Sequence, residues 1–295
     1  MSKPQDHSGY EPQQTEACER LLVTLLRNIG PWKDTVTLIG GLVPSLLFAS
    51  DGHVGTTDVD LVLDLEKIAD TEAYRTIEQN LKKLGLERGR NEDDDAQHFR
   101  WTREKEGEEP VSIEFLCPTP TGGQPGRIVP LKESGQKRLS AVGIAAAHLV
   151  FDDYIEKTLV AELLNGRGKA SVTLRVAGIV SYIVLKTLAY EDRMEPKDAY
   201  DLLFVLLNHE GGPEGVGELF AAKMAANPSE PLYQRTLDIL RSRFLNDDQL
   251  NGAEKDGPTS YGLFVAPDDP EEQALARQNA VSAISLFMEA ASPSL

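Results

Sequence analysis

The stretch Asp58-Val59-Asp60-Leu61-Val62-Leu63-Asp64 sets acidic against apolar residues at period two and then turns apolar. That pattern predicts a strand; an amphipathic helix would space its apolar positions three to four residues apart. On a strand, residues two apart share a face, so Asp58 and Asp60 present two carboxylates side by side. Anions at that spacing repel each other unless a cation intervenes. A chain that builds this element commits to a sheet and to positive charge beside it.

The residues upstream suit the same purpose. Thr35-Val-Thr-Leu-Ile39 reads as a strand stopped by Gly40-Gly41, and Leu42 to Ala49 reads as a short helix with Pro44 in its first turn. Lacking side chains, Gly40 and Gly41 let backbone N–H groups approach a phosphate, and a helix start beyond them favours negative charge. Downstream, Val111-Ser-Ile-Glu-Phe-Leu116 is the next apolar strand, with Glu114 as its one acid. Glu114 is the candidate third carboxylate. Mg²⁺ (or Mn²⁺) is the natural cation for Asp58, Asp60 and Glu114, being hard and commonly shared between carboxylates and substrate phosphates. Three carboxylates admit two metals, which together activate an attacking oxygen and stabilise a leaving one.

Around this core the chain reads as mixed. Cys18, Leu21, Leu22, Leu25 and Leu26 recur at helical spacing, a second helix is expected from Thr71 to Leu84, and a strand from His98 to Thr102. An acidic turn at Asn91 to Asp95 precedes that strand, and short β pieces are expected near Ile128 and Leu139. From about residue 170 the pattern becomes helical: Gly178 to Asp192, Pro196 to Asn208, then further helices interrupted by a loop at Asn251 to Pro270. The fold class is α+β, a mixed sheet with helices followed by a helical C-terminal domain. The expected divisions are a disordered tail over 1–16, an α/β domain over 17–170 and a helical domain over 171–295.

Charge narrows the function. Thirty Lys and Arg against 47 Asp and Glu give a net charge of −17, which disfavours a general nucleic-acid coat protein, whose affinity rests on phosphate neutralisation. Residues 157–197 reverse the sign locally, with seven basic residues against four acidic. Cys18 and Cys117 lie too far apart in sequence to indicate a disulfide framework or zinc ribbon. No apolar run reaches the 18 or so residues of a membrane span, so no membrane partner and a cytoplasmic location are the default expectations.

Taken together, Leu38-Ile39-Gly40-Gly41, Thr56-Thr57-Asp58-Val59-Asp60-Leu61 and Glu114 resemble the polymerase-beta-like nucleotidyltransferase superfamily. More narrowly, Lys186-Thr-Leu-Ala189, Arg193 and Lys197-Asp198-Ala-Tyr-Asp201-Leu resemble the second signature of the AbiEii/AbiGii toxin-type nucleotidyltransferases of type IV toxin–antitoxin systems. The resemblance implies a polymerase-beta-like core and Mg²⁺-dependent transfer of NMP from an NTP to a tRNA or protein acceptor, with a cognate antitoxin as partner; for a tRNA acceptor, a basic face across residues 127–197 is expected to receive the tRNA end. It implies catalytic roles for Asp58, Asp60, Glu114, Lys186 and Asp198. Nucleotide contacts are implied for Gly40, Gly41, Thr57, Lys186, Arg193 and Lys197. Two positions depart from the toxin pattern: Gly41 stands where serine is usual, and His53-Val-Gly-Thr56 replaces a segment that usually carries an arginine.

The residues of the second motif also have a reading of their own. Lys186 and Arg193, seven apart, share one helix face. Asp198, just after Pro196, suits the first turn of the next helix, where it would hold Lys186 or Lys197 in place or orient an acceptor hydroxyl. Two other functions compete with the toxin reading. One is a catalytically weak nucleotide-binding or interaction module, motivated by the two departures. The other is a small-molecule nucleotidyltransferase whose acidic surface suits a cationic, aminoglycoside-like acceptor.

Overall fold

The computed structural model describes residues 4–48, 52–68, 71–90, 96–130, 139–164, 166, 168–245 and 249–292. The acidic turn expected over 91–95 lies outside them. The chain divides into two compact units, one of residues 11–46 and 54–178, the other of residues 4–10, 47–48, 52–53 and the described residues from Ile179 onward.

The first unit is a mixed sheet with helices. Its described strands are β1 (Val36–Ile39), β2 (Asp58–Leu63), β3 (Glu87–Arg90), β4 (Ala96–Arg103), β5 (Val111–Pro118), β6 (Ile128–Pro130), β7 (Ser140–Ile144), β8 (Tyr154–Glu162) and β9 (Lys169–Ala177). They run in the order β3-β4-β5-β2-β1-β9-β8, with β7 alongside β5 and β6 alongside β7. Strand β2 pairs antiparallel with β1 and parallel with β5, which places the acidic strand centrally. Helix α1 (Pro12–Ile29) buries Cys18, Leu21, Leu22, Leu25, Leu26 and Ile29 against the sheet, the stripe read from its spacing. Gly30 ends it at φ +60°, a conformation glycine adopts without penalty. Gly40 to Leu42 form a 3₁₀ turn into the five-residue α2 (Val43–Leu47), and α3 (Thr71–Lys83) packs on α1.

The second unit is helical: α4 (Ile179–Arg193), α5 (Pro196–Asn208), α6 (Gly212–Ala226), α7 (Pro231–Phe244), α8 (Asp256–Val265) and α9 (Pro270–Ala291). Phe220, Phe244, Phe264 and Phe287 are wholly buried among them.

Four expectations meet differences. Helix α1 begins at Pro12, inside the tail expected over 1–16. The boundary placed at 170 falls within β9, and the chain divides after Gly178. The hairpin of β8 and β9, nine residues in each strand, adds to the expected strands. Helix α8 occupies the loop expected over 251–270. Its Gly257 and Gly262 argue locally against a helix, yet both are packing positions. A Cβ on Gly257 would stand 2.5 Å from the Phe244 ring, and one on Gly262 3.1 Å from the Gln273 carbonyl of α9. Close tertiary approach outweighs propensity.

Candidate active site

The register of the sheet settles which side chains share a face. Asp58 pairs with Ser112 and Asp60 with Glu114 across β2 and β5, so the two aspartates and Glu114 project to one side. The intervening Val59, Leu61, Ile113 and Phe115 are at most 1% exposed. Apolar burial on one face therefore holds the acids on the other. Asp58 is buried, while Asp60 and Glu114 are half-buried.

The glycine turn closes against this acidic row. Gly40 lies at φ +78°, and a Cβ there would stand 2.0 Å from Asp60 Oδ2, so the carboxylate packs on bare backbone. A Cβ on Gly41 would meet Thr56, 2.6 Å from its Oγ1 and 2.8 Å from its own Cβ. The Thr56 hydroxyl donates to Asp58 Oδ1 at 2.9 Å. Thr57 is half-buried at the entry to β2. The Cys18 thiol of α1 lies 4.0 Å from the Thr56 carbonyl, and its pKa is pushed up by burial and then by the charges of Asp58 and Asp60.

Glu114 has a partner that the sequence did not reveal. Arg100 of β4 pairs with it in register, and Arg100 Nε lies 3.2 Å from Glu114 Oε1. Arg100 puts a cation on the acidic row. Among the described residues no group of three or more His, Cys, Asp or Glu side chains is arranged to hold a metal ion.

The helical unit gathers the second motif. Lys186 of α4 has its side chain 9% exposed, with Nζ 2.9 Å from Asp198 Oδ1 and 2.6 Å from Asp201 Oδ2. Arg193 donates through Nε to Asp198 Oδ2 at 2.6 Å and through a terminal nitrogen to Oδ1 at 2.9 Å, a two-pronged clasp. Lys197 turns to Asp201 instead, with its ammonium 5.3 Å from the ring centres of both Tyr10 and Tyr200. His53 completes the set, its Nε2 2.8 Å from Asp201 Oδ1. Because a carboxylate only accepts, that nitrogen carries the proton. His53, which opens the segment standing where the toxin pattern usually carries an arginine, thus bonds a carboxylate 148 positions away.

These charges set one another. Burial opposes ionisation of Asp198 and Asp201, yet the neighbouring Lys186 overcomes it. Arg193 aids at Asp198, Lys197 and His53 aid at Asp201, and both carboxyls sit below their usual range, Asp201 far below. Lys186 is held well above the ordinary lysine value by Asp198 and Asp201 despite its burial. For Lys197 burial dominates and lowers the pKa. For His53 burial again dominates, helped by Lys197, so its pKa is lowered and the ring is neutral at pH 7.

The structure thus brings Asp58, Asp60, Gly40, Gly41 and Glu114 together in the sheet unit, and Lys186, Arg193, Lys197 and Asp198 together in the helical unit. Two cations of the basic stretch expected across 127–197, Lys186 and Lys197, are enclosed with carboxylates, whereas Arg193 keeps its side chain 45% exposed. Arg175 lies with its guanidinium 4.7 Å from the Tyr154 ring centre and donates to the Asp34 carbonyl. Among the described residues no helix is long and apolar enough to cross a membrane.

No match was found among curated proteins. A family model does match, described as "Nucleotidyl transferase AbiEii toxin, Type IV TA system"; it covers residues 21–277, from the first helix through both groups of charged residues, and the chain belongs to that family.

Proposed function

We propose that this chain transfers a nucleoside monophosphate from an NTP to an acceptor hydroxyl, on tRNA or a protein side chain, and that a cognate antitoxin is its partner. The observation that carries this reading is the register of Asp60 on Glu114 beside a glycine turn that lies bare against Asp60. The donor chemistry suits a divalent cation, because Asp58 and Asp60 offer hard oxygens two residues apart on one face, and Glu114 lies in register beside Asp60. Asp58 and Asp60 would hold Mg²⁺ or Mn²⁺, which supplies Lewis-acid stabilisation of phosphoryl charge when bound.

The chain's own residues do the rest. Gly40 and Gly41 let backbone approach the β- and γ-phosphates, and Thr57, at the entry to β2, is a further nucleotide contact. Glu114 accepts the proton of the acceptor hydroxyl, and Arg100 holds that carboxylate in place until the acceptor arrives. The hydroxyl oxygen attacks the α-phosphorus, the bond from that phosphorus to the bridging oxygen breaks, and pyrophosphate leaves. In the helical unit Arg193, with its side chain 45% exposed, is the cation able to meet an anion, and Asp198 and Lys186 fix its position. Cytoplasmic action follows from these substrates.

The test is incubation with four α-labelled NTPs and either total RNA or lysate protein. Asp58→Ala is expected to abolish label transfer at an unchanged melting temperature, and label retained by that variant refutes the assignment. A second reading, a nucleotide-binding module, is favoured by the Arg100 ion pair on Glu114. NTP binding in calorimetry without pyrophosphate release under any acceptor mixture would decide for it.

A further inference from the structure

We propose that Thr56 is a positioning residue that locks the glycine turn to the first metal-facing aspartate; this rests on the reading above. Thr56 is 4% exposed, and each of its polar groups has a partner. Its hydroxyl donates to Asp58 Oδ1 at 2.9 Å, and the Asp58 backbone N–H points back to the same oxygen at 3.4 Å. On its other side the same side chain fills the space that a residue at position 41 would need, with Oγ1 and Cβ at 2.6 and 2.8 Å from a Gly41 Cβ. A β-branched side chain is stiff at χ1, and burial with the bond to Asp58 favours the rotamer seen here.

The backbone of Thr56 is fixed in turn. Its N–H donates to Thr15 Oγ1 of α1 at 3.0 Å, and the Thr15 hydroxyl lies 3.5 Å from its carbonyl. Gly55, at φ +90°, has no room for a Cβ, which would stand 1.9 Å from Thr15 Oγ1. Helix α1 therefore sets Thr56, and Thr56 sets both Asp58 and the closeness of Gly41. The phosphate-facing backbone and the carboxylate are spaced by one side chain. In this chain glycine at 41 and threonine at 56 are packed as a pair, so the effects of changing the two are coupled.

Two measurements test this. The first is Mn²⁺ binding to the full chain without nucleotide, read by electron paramagnetic resonance, with Asp58→Ala as the floor. Thr56→Val keeps the shape and removes the donor, and is expected to weaken binding by about tenfold, the scale for losing a hydrogen bond that orients a ligand. Thr56→Ser restores the donor and is expected to lie within about twofold of wild type, since it keeps the orienting bond. The second is a double-mutant cycle on melting temperature. Gly41→Ala lowers it in the wild-type chain and costs far less in a Thr56→Ala background, so the two changes are not additive. Thr56→Val binding Mn²⁺ as wild type does, or an additive cycle, overturns the role of Thr56 alone. Wild type that binds no Mn²⁺, or Asp58→Ala that binds it equally, overturns the metal-site reading and this inference with it.

Discussion

The two charged groups of this molecule solve opposite problems. In the sheet unit, carboxylates of one sign gather on one face of β2 and β5, and a bare glycine turn lies against them. In the helical unit, three cations and two carboxylates are interleaved, and the carboxylates are 1% exposed or less. The first arrangement draws one cation from the chain itself, Arg100 on Glu114, and a divalent ion would relieve the repulsion further. The second supplies its own. A buried charge with a partner is tolerated; one whose partner is removed is not. The difference predicts which group can be altered without unfolding the chain: the sheet acids are expected to contribute little to stability, and the acids that hold lysines to contribute much.

The sharpest way to break this comparison is to remove one carboxylate from each. Asp201→Ala leaves Lys186, Lys197 and His53 facing an empty position and is expected to cost about 3–5 kcal/mol, the range for breaking a buried ion pair. Asp60→Asn relieves like-charge repulsion on its strand and is expected to change stability by less than about 1 kcal/mol in either direction. Urea denaturation in the absence of divalent ions measures both. Equal losses would show that the sheet acids are structural after all.

How much of this could be read from sequence follows from how local each feature is. Period-two alternation fixed Asp58 and Asp60 on one face, because strand geometry is decided within a few residues. The assignment of Glu114 to that face needed the parallel register of β5 on β2, which alternation within β5 leaves open. Arg100 was missed for the same reason, since only its pairing with Glu114 distinguishes it from any other strand arginine. His53 was noticed only as a replacement for arginine, because its partner Asp201 lies on α5. The β8–β9 hairpin did carry a local signal, Asn165-Gly166 between alternating segments, that the shift toward helical pattern after residue 170 obscured. Asp201 was passed over in favour of Asp198, although three-residue spacing puts both where Lys186 can reach them.

A smaller effect sharpens the contrast through pH. The folded-state pKa of His53 lies below the ordinary histidine value of 6.5, so the unfolded chain binds a proton that the folded chain refuses. Between that lowered value and 6.5, stability therefore rises with pH and is lost as pH falls, with a limiting slope of about 1.4 kcal/mol per unit. The groups facing His53 in the helical unit are Asp201, Lys197 and Lys186. Asp198 and Asp201 have lowered pKa values too, but their contribution is lost only as pH falls below the ordinary aspartate value of 3.8, a separate window. Unfolding free energy measured from pH 7.5 to 5 is expected to show the His53 slope, and His53→Gln, which keeps a donor toward Asp201, is expected to flatten it. A slope unchanged in His53→Gln would assign the proton elsewhere.

The smallest effect concerns how each unit makes its sharpest turn. The sheet unit uses Gly40 at φ +78°, where no other residue fits. The helical unit uses Met194 at φ +54°, the one positive-φ residue other than glycine among those described. Met194 joins α4 to α5, and its N–H donates to the Tyr190 carbonyl at 2.8 Å, so the left-handed residue ends α4 just after Arg193. That reversal lets Arg193 reach Asp198 five positions on. A side chain in this region costs roughly 1–2 kcal/mol, and glycine removes that strain but adds roughly 0.5–1 kcal/mol of unfolded-state entropy. Met194→Gly is therefore expected to stabilise by up to about 1 kcal/mol, whereas Met194→Ile, branched at Cβ, is expected to destabilise by more than about 1 kcal/mol. Thermal melting separates the two signs. If glycine destabilises instead, the Met194 side chain contributes more by packing than its backbone loses by strain, and the turn is then set by contact and not by the clasp of Arg193 on Asp198.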